Sequence, residues 1–209
     1  VAQKILIIGC GYLGTAIYER LKSSFFALCT SFKSFVDNLR TIQSQDFILI
    51  HTSHVNKNED ISTYQTYKNY LITEYLVNYK WKKYIFLSSL GVYELDKVKS
   101  TCISNQHNYN LSKFISEFRI RETQQSFLIY RLDRIYDECF RSKGYISYAI
   151  RNNKPFKQYV SICWLRDFLD IFEKTFLTMT GVIDVRGKFY TFEELKHVFV
   201  NYCYTNKES

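Results

Sequence analysis

The chain has 209 residues, 46% of them hydrophobic and 18% aromatic, with seven glycines and one proline. That is room for one large domain, or one with a small appendage, and enough apolar side chain for a full core. The net charge of +8 is dispersed rather than clustered, and no basic stripe with interleaved aromatics marks a nucleic-acid groove.

Taken in chain order, residues 5–8 are Ile-Leu-Ile-Ile and read as a buried parallel strand. Gly9-Cys10-Gly11-Tyr12-Leu13-Gly14 follows, and residues 15–22 read as a helix. Strand, Gly-x-Gly-x-x-Gly turn and helix form the context of a dinucleotide-binding fingerprint. Gly9 serves the tight turn, Gly11 lets a pyrophosphate approach the backbone, and Gly14 lets helix and strand pack closely. Three of the chain's seven glycines fall within these six positions.

Residues 25–30 and 46–52 read as the second and third strands, with a short helix over 35–42 between them. The spacing has no room for the additional strand of a full mononucleotide-binding half, so one strand is expected to be missing. A polar loop at 56–60 leads to a long helix over 61–79. Then come a strand at 84–89, a loop through 94–108, a helix over 109–123 and a strand at 126–131. Helices are expected near 145–152, 165–179 and 191–203, with a strand at 182–185. Thr191 and Glu194 fit a capping box at the start of the last helix. Alternating strands and helices predict an α/β, Rossmann-type, doubly wound parallel sheet in shortened form. Residues 1–136 are expected to form the dinucleotide-binding core and 137–209 a reduced substrate-side part packed on it.

Six cysteines at 10, 29, 102, 139, 163 and 203 contain no Cys-x-x-Cys pair. This reads as free thiols in a reducing compartment rather than a disulfide framework. His51 and His54 lack a convincing third ligand, so no metal is expected. No signal-peptide layout and no run of membrane-spanning length is seen. The expectation is a cytoplasmic protein with no membrane or nucleic-acid partner.

Ser89 ends a core strand, where a parallel α/β sheet presents its ligand site. Tyr109 and Lys113 stand one turn apart on the next helix. A lysine cation beside a phenol is expected to lower the phenol's pKa, which lets it give or take a proton as hydride moves. Ser89 would hydrogen-bond and polarise the same carbonyl. Tyr-x-x-x-Lys also occurs at Tyr18/Lys22, Tyr64/Lys68, Tyr79/Lys83 and Tyr93/Lys97. Only Tyr109/Lys113 begins the helix after the Ser89 strand.

With these residues in view, the chain resembles the extended short-chain dehydrogenase/reductase family, in its branch of sugar-nucleotide epimerases, dehydratases and reductases. Gly9 to Gly14 match the cofactor turn, and Asn69-Tyr70-Leu71-Ile72-Thr73 is similar to the family's Asn-Val-x-Gly-Thr segment. Ser88-Ser89-Leu90-Gly91-Val92-Tyr93 resembles Ser-Ser-x-x-Val-Tyr-Gly, and Tyr109 and Lys113 match the family's Tyr and Lys. Tyr130 to Tyr136 resemble the strand leading to Tyr-Gly-Pro, and Trp164-Leu165-Arg166-Asp167 the Val-Asp-Asp helix start. Glu94 departs from the family's Gly, and Asp137-Glu138 from its Gly-Pro. The chain is also about a third shorter than typical members.

The resemblance implies Ser89, Tyr109, Lys113 and Asn69 as catalytic residues. It implies Gly9, Gly11, Tyr12, Leu13, Gly14, Ser31, Lys33, Thr52 and Lys113 as cofactor-binding residues. The acid pair that the family's dehydratases carry after the catalytic hydroxyl is replaced by Leu90 and Gly91. The cysteine of fucose-synthase-like members is replaced by Gly91. The reaction expected is therefore reduction of a keto group on a nucleotide-linked deoxysugar. The alternatives are a nucleotide-sugar 4-epimerase and a non-catalytic NADP-binding regulator or scaffold subunit. No Asp or Glu occurs from Arg20 to Val36, whereas Ser31 and Lys33 offer a hydroxyl and a cation to a 2′-phosphate, so NADP is expected over NAD. The 61–79 and 109–123 helices carry surplus apolar positions, and in the resembling family they pair across a dimer axis, which implies a homodimer.

Overall fold

A computed structural model describes residues 3–39, 42–53, 63–97, 105–141 and 145–205. The expected 56–60 loop, His54 and Cys102 lie outside them. Two compact units result: residues 1–131 with 175–184, and residues 132–174 with 185–209.

The first unit is built on a six-stranded sheet. Its strands are β1 (Lys4–Ile8), β2 (Phe26–Thr30), β3 (Phe47–His51), β4 (Lys83–Ser89), β5 (Phe127–Leu132) and β8 (Gly181–Val185), in the order β2-β1-β3-β4-β5-β8. β1 pairs in parallel with β2 and with β3, and β3 in parallel with β4. Among the described residues only β2 lies outside β1, so they hold no additional strand of a full mononucleotide half, in keeping with the short spacing. Ile5 to Ile8 and all of β3 are buried, which is why these strands read as continuous apolar runs.

The helices of this unit are α1 (Tyr12–Leu21), a short α2 (Phe32–Ser34) that widens into a π-turn over Phe35–Leu39, α3 (Thr63–Val77) and α4 (Asn105–Thr123). The helix expected over 35–42 thus begins earlier and ends in a wider turn. Ser31 sets its start, its hydroxyl accepting from the Ser34 N–H at 3.0 Å. On one side of the sheet Leu6, Leu49 and Phe86 meet Phe35, Leu76 and Ile120 in a continuous core. α3 and α4 lie side by side through small polar residues: Thr73 and Ser116 share a 2.8 Å hydrogen bond, and Asn69 donates to the Ser112 hydroxyl at 3.4 Å.

Residues Leu90–Lys97, expected partly as loop, form 3-10 turns, and α4 begins four residues ahead of its expected start at Tyr109. Across the unit, the Lys83 ammonium is buried and donates to the carbonyls of Phe176, Leu177 and Met179. This ties the first residue of β4 to the segment that leads into β8.

The second unit holds β6 (Ile135–Tyr136), α5 (Tyr145–Arg151), β7 (Val160–Trp164), α6 (Leu165–Thr175), β9 (Lys188–Tyr190) and α7 (Phe192–Thr205). β6-β7-β9 form a small mixed sheet, parallel at β6/β7 and antiparallel at β7/β9. Phe140, Ile150, Ile162, Trp164 and Leu195 fill its core. The capping box at α7 is formed: the Thr191 N–H donates to the Glu194 carboxylate at 2.7 Å, and the Glu194 N–H to the Thr191 hydroxyl at 3.3 Å.

Candidate active site

The parallel register brings Ile8, Thr30 and His51 level at the carboxyl ends of β1, β2 and β3, while β4 runs on past His51's partner Phe86 to Ser89. The glycine turn starts at this edge. Gly9 has φ +116°, a left-handed conformation open to glycine, and its N–H donates to the Thr30 carbonyl at 2.8 Å. A Cβ on Gly14 would lie 1.8 Å from the Gly9 carbonyl oxygen, so α1 and the turn are in backbone contact there. A Cβ on Gly11 would meet nothing within 4 Å. Gly11 caps α1 with no side-chain bond, and the first turn of α1, which Tyr12 and Leu13 open, carries no acid. The open space above Gly11 and the N-terminus of α1, whose cap residue makes no side-chain bond, fit a phosphate chain.

Thr52 follows β3, and its hydroxyl donates to the Gly9 carbonyl at 2.6 Å. It braces the turn from the neighbouring strand. Ser31 and Lys33 are both exposed just beyond β2, with the Ser31 oxygen engaged in capping α2.

Ser89 is half-buried at the end of β4, and its hydroxyl oxygen accepts from the Gly91 N–H at 3.1 Å. Lys113 is 4% exposed and donates to the Leu87 carbonyl at 2.7 Å, two residues before Ser89. Its ammonium lies 4.7 Å from the Phe86 ring centre and 5.7 Å from that of Tyr109. Burial lowers the Lys113 pKa to about 7, against which the Glu117 carboxylate acts.

The expectation that Lys113 lowers the pKa of Tyr109 is corrected by the structure. Burial pushes the Tyr109 phenol up to about 12. Burial removes the water that would stabilise the phenolate, and this desolvation sets the direction of the shift. Asn69 is buried where α3 meets α4, against Ser112, the residue before Lys113.

Three neighbours were not identified as site residues from the sequence. Asn110 is buried beside Tyr109 and packs against Gly91, where a Cβ would lie 2.3 Å from its amide oxygen. It thereby spans from the Tyr109 helix to the Ser89 turn. Nothing in the sequence marks it. Glu117, one turn beyond Lys113, accepts from the Ser88 hydroxyl at 2.6 Å, from Arg131 at 2.7 Å and from Arg121 at 3.0 Å. Its i+4 spacing from Lys113 and to Arg121 was a readable signal.

His51, considered only as a metal ligand, is fully buried. Its Nε2 lies 3.0 Å from the Ser53 carbonyl, which can only accept, so Nε2 carries the proton and Nδ1 accepts from the Tyr84 hydroxyl at 2.9 Å. Burial and the nearby Lys113 charge lower its pKa to about 3.

No family model and no curated protein sequence matches the chain. Solved structures do. dTDP-4-dehydrorhamnose reductase from Bacillus anthracis, in complex with NADP, matches with a TM-score of 0.72 at 16% identity, over 97% of this chain and 81% of that one. ADP-L-glycero-D-manno-heptose-6-epimerase from Helicobacter pylori matches with a TM-score of 0.70 at 17% identity, over 96% and 82%. The Bordetella bronchiseptica enzyme WbmG, in complex with NAD, matches with a TM-score of 0.68 at 14% identity, over 97% and 79%. These matches show the fold: over most of its length the chain has the fold of the extended short-chain dehydrogenase/reductases, and its described residues form a six-stranded sheet in the order β2-β1-β3-β4-β5-β8.

Proposed function

We propose that the protein is an NADP(H)-dependent oxidoreductase that reduces a keto group on a nucleotide-linked deoxysugar. One observation carries this reading. Lys113 donates to the Leu87 carbonyl next to the strand end that bears Ser89, so the Tyr109 helix and the Ser89 turn are joined at the sheet edge where the glycine turn opens. The substrate class rests on the names of the structures with this fold, which include a dTDP-sugar reductase and a UDP-sugar epimerase.

Gly9, Gly11 and Gly14 with the first turn of α1 hold the pyrophosphate, and Lys113 grips the nicotinamide ribose. Ser31 and Lys33 receive the 2′-phosphate, and Thr52 keeps the turn in shape. When bound, the nicotinamide supplies the hydride. Ser89, whose oxygen already accepts from Gly91, turns its own O–H to the substrate carbonyl and polarises it. Tyr109 gives its proton to the developing alkoxide, and the burial that holds the phenol up at about 12 keeps it protonated for that step. Asn69 lies on the path by which water returns the proton. Residues 137–209 serve the substrate side.

The test is turnover with NADPH and 4-keto nucleotide sugars. Tyr109→Phe should lose a factor of ~10² to 10⁴ in rate with NADPH affinity nearly unchanged, whereas Lys113→Ala should damage both. Full activity in Tyr109→Phe would overturn the assignment. A 4-epimerase is the alternative reading, and a Bacillus cereus UDP-N-acetylglucosamine 4-epimerase is among the structures with this fold. Net consumption of NADPH, one per product, separates the two. Lys33→Ala should weaken NADPH much more than NADH, and equal affinities for both in the parent chain would refute the NADP preference.

A further inference from the structure

Cys10 stands between Gly9 and Gly11 in the glycine turn, and Cys29 lies on β2 one residue before Thr30. The Cys29 thiol donates to the Cys10 sulfur at 3.0 Å. Cys10 is exposed and Cys29 half-buried. The two sulfurs are held opposite one another by bonds that do not involve them: Gly9 N–H to Thr30 carbonyl at 2.8 Å, and the parallel pairing of β1 with β2. Closing a covalent bond between them needs an approach of only about 1 Å.

We infer that Cys10 and Cys29 form a dithiol site that reacts with small-molecule disulfides and closes a Cys10–Cys29 bond across the mouth of the glycine turn.

The exposed Cys10 is the entry point. Its thiolate attacks one sulfur of a disulfide such as glutathione disulfide, and one glutathione thiolate leaves. Cys29 then gives up its proton, attacks the Cys10 sulfur and displaces the second glutathione thiolate. Two protein thiols and one glutathione disulfide become one protein disulfide and two glutathione thiols, which take up the two protons. Burial and the bond to Cys10 push the Cys29 thiol up to about 12, which makes Cys29 the slower, resolving partner.

The bond draws Cys10, and with it the backbone of Gly11, toward β2. Gly11 is the position with open space above it. A dinucleotide whose pyrophosphate needs that space and whose ribose needs the end of β2 should bind the oxidised chain poorly. This consequence rests on the cofactor reading proposed above, while the bond itself does not.

The experiment exposes the full reduced chain to glutathione disulfide, alkylates the remaining thiols and reads the digest by mass spectrometry, with NADPH binding followed in parallel by fluorescence. The expected result is a Cys10–Cys29 linked peptide, lighter by two hydrogens than the separate peptides. NADPH affinity should fall at least tenfold and return with dithiothreitol, and Cys10→Ser should be indifferent to the oxidant. Alkylation of both cysteines after exposure, or Cys10 left as a glutathione adduct in the parent chain, would overturn the dithiol site. A linked peptide with unchanged NADPH affinity would overturn its effect on binding. Failure of the reduced chain to bind dinucleotide would instead overturn the cofactor reading, and the mass of the linked peptide would still decide the thiol pair.

Discussion

A buried imidazole with both nitrogens engaged stores its protonation cost in the folded state. His51 is held at about 3, against an ordinary value of 6.5. Between these values the unfolded chain binds a proton that the folded one does not, so stability is fully present above pH 6.5 and is lost as pH falls toward 3. The loss from this residue is about 2 kcal/mol by pH 5. The melting temperature should drop measurably between pH 7 and pH 5, and His51→Asn, though less stable at pH 7, should show a flatter profile over that interval. Parallel profiles would assign the acid sensitivity elsewhere. The glycines allow a second comparison at this scale. Gly14→Ala forces a Cβ against the Gly9 carbonyl and should cost about 2–4 kcal/mol in urea denaturation. Gly11→Ala meets nothing and has an ordinary φ of −80°, so it should leave stability unchanged and weaken only dinucleotide binding. A destabilised Gly11→Ala would mean that the space above the turn is not what Gly11 preserves.

At the scale of elements, α4 divides its residues among three surroundings by its 3.6-residue period. Lys113, Glu117 and Ile120 are buried, with Lys113 and Glu117 bonded to β4 and β5; Ser112 and Ser116 face α3; Phe114 and Phe118 are exposed. Glu117 is the joint between α4, β4 and β5. Its carboxylate is almost wholly buried and satisfied by Ser88, Arg121 and Arg131. Arg131 in turn donates to the Tyr93 hydroxyl, which donates to Asp184 of β8 at 3.1 Å. Removing one partner of such a network strands a charge, so Glu117→Ala should cost about 3–5 kcal/mol in chemical denaturation. Adding Arg131→Leu to it should restore part of that loss, because the stranded guanidinium is gone. Strictly additive losses would show that the two residues act independently.

At the scale of the whole molecule, α3 and α4 carry Tyr67, Leu71, Phe114 and Phe118 exposed, between 44% and 55% each. Each helix carries two of these large side chains one turn apart, and apolar side chains gathered on a surface mark an interaction site. We propose that the chain assembles as a symmetric homodimer through these helices. Light scattering at micromolar concentration should give twice the chain mass, and Phe114→Glu with Phe118→Glu should halve it. A monomeric parent chain would assign the exposed aromatics to composition alone. Among the described residues no helix is long and apolar enough to cross a membrane.

Much of the fold was legible because its signals are local. The apolar runs of β1, β3 and β4, the glycine spacing, the capping box at Thr191 and Glu194, and the short interval between β2 and β3 are properties of neighbouring residues, and each names its element without outside help. Ser89, Tyr109 and Lys113 could be singled out for the same reason, by their order relative to strands and helices. What only the tertiary structure decided is where charge and burial meet across the sheet. The direction of the Tyr109 shift, the neutral His51, the Asn110 bridge to Gly91 and the Cys10–Cys29 contact all join residues that are distant in sequence or on different elements. So does the return of residues 175–184 to the first unit, which places β8 at the far edge of its sheet. Desolvation and side-chain approach are set by packing at a distance of a few ångströms, and a linear pattern carries periodicity and order but not that distance.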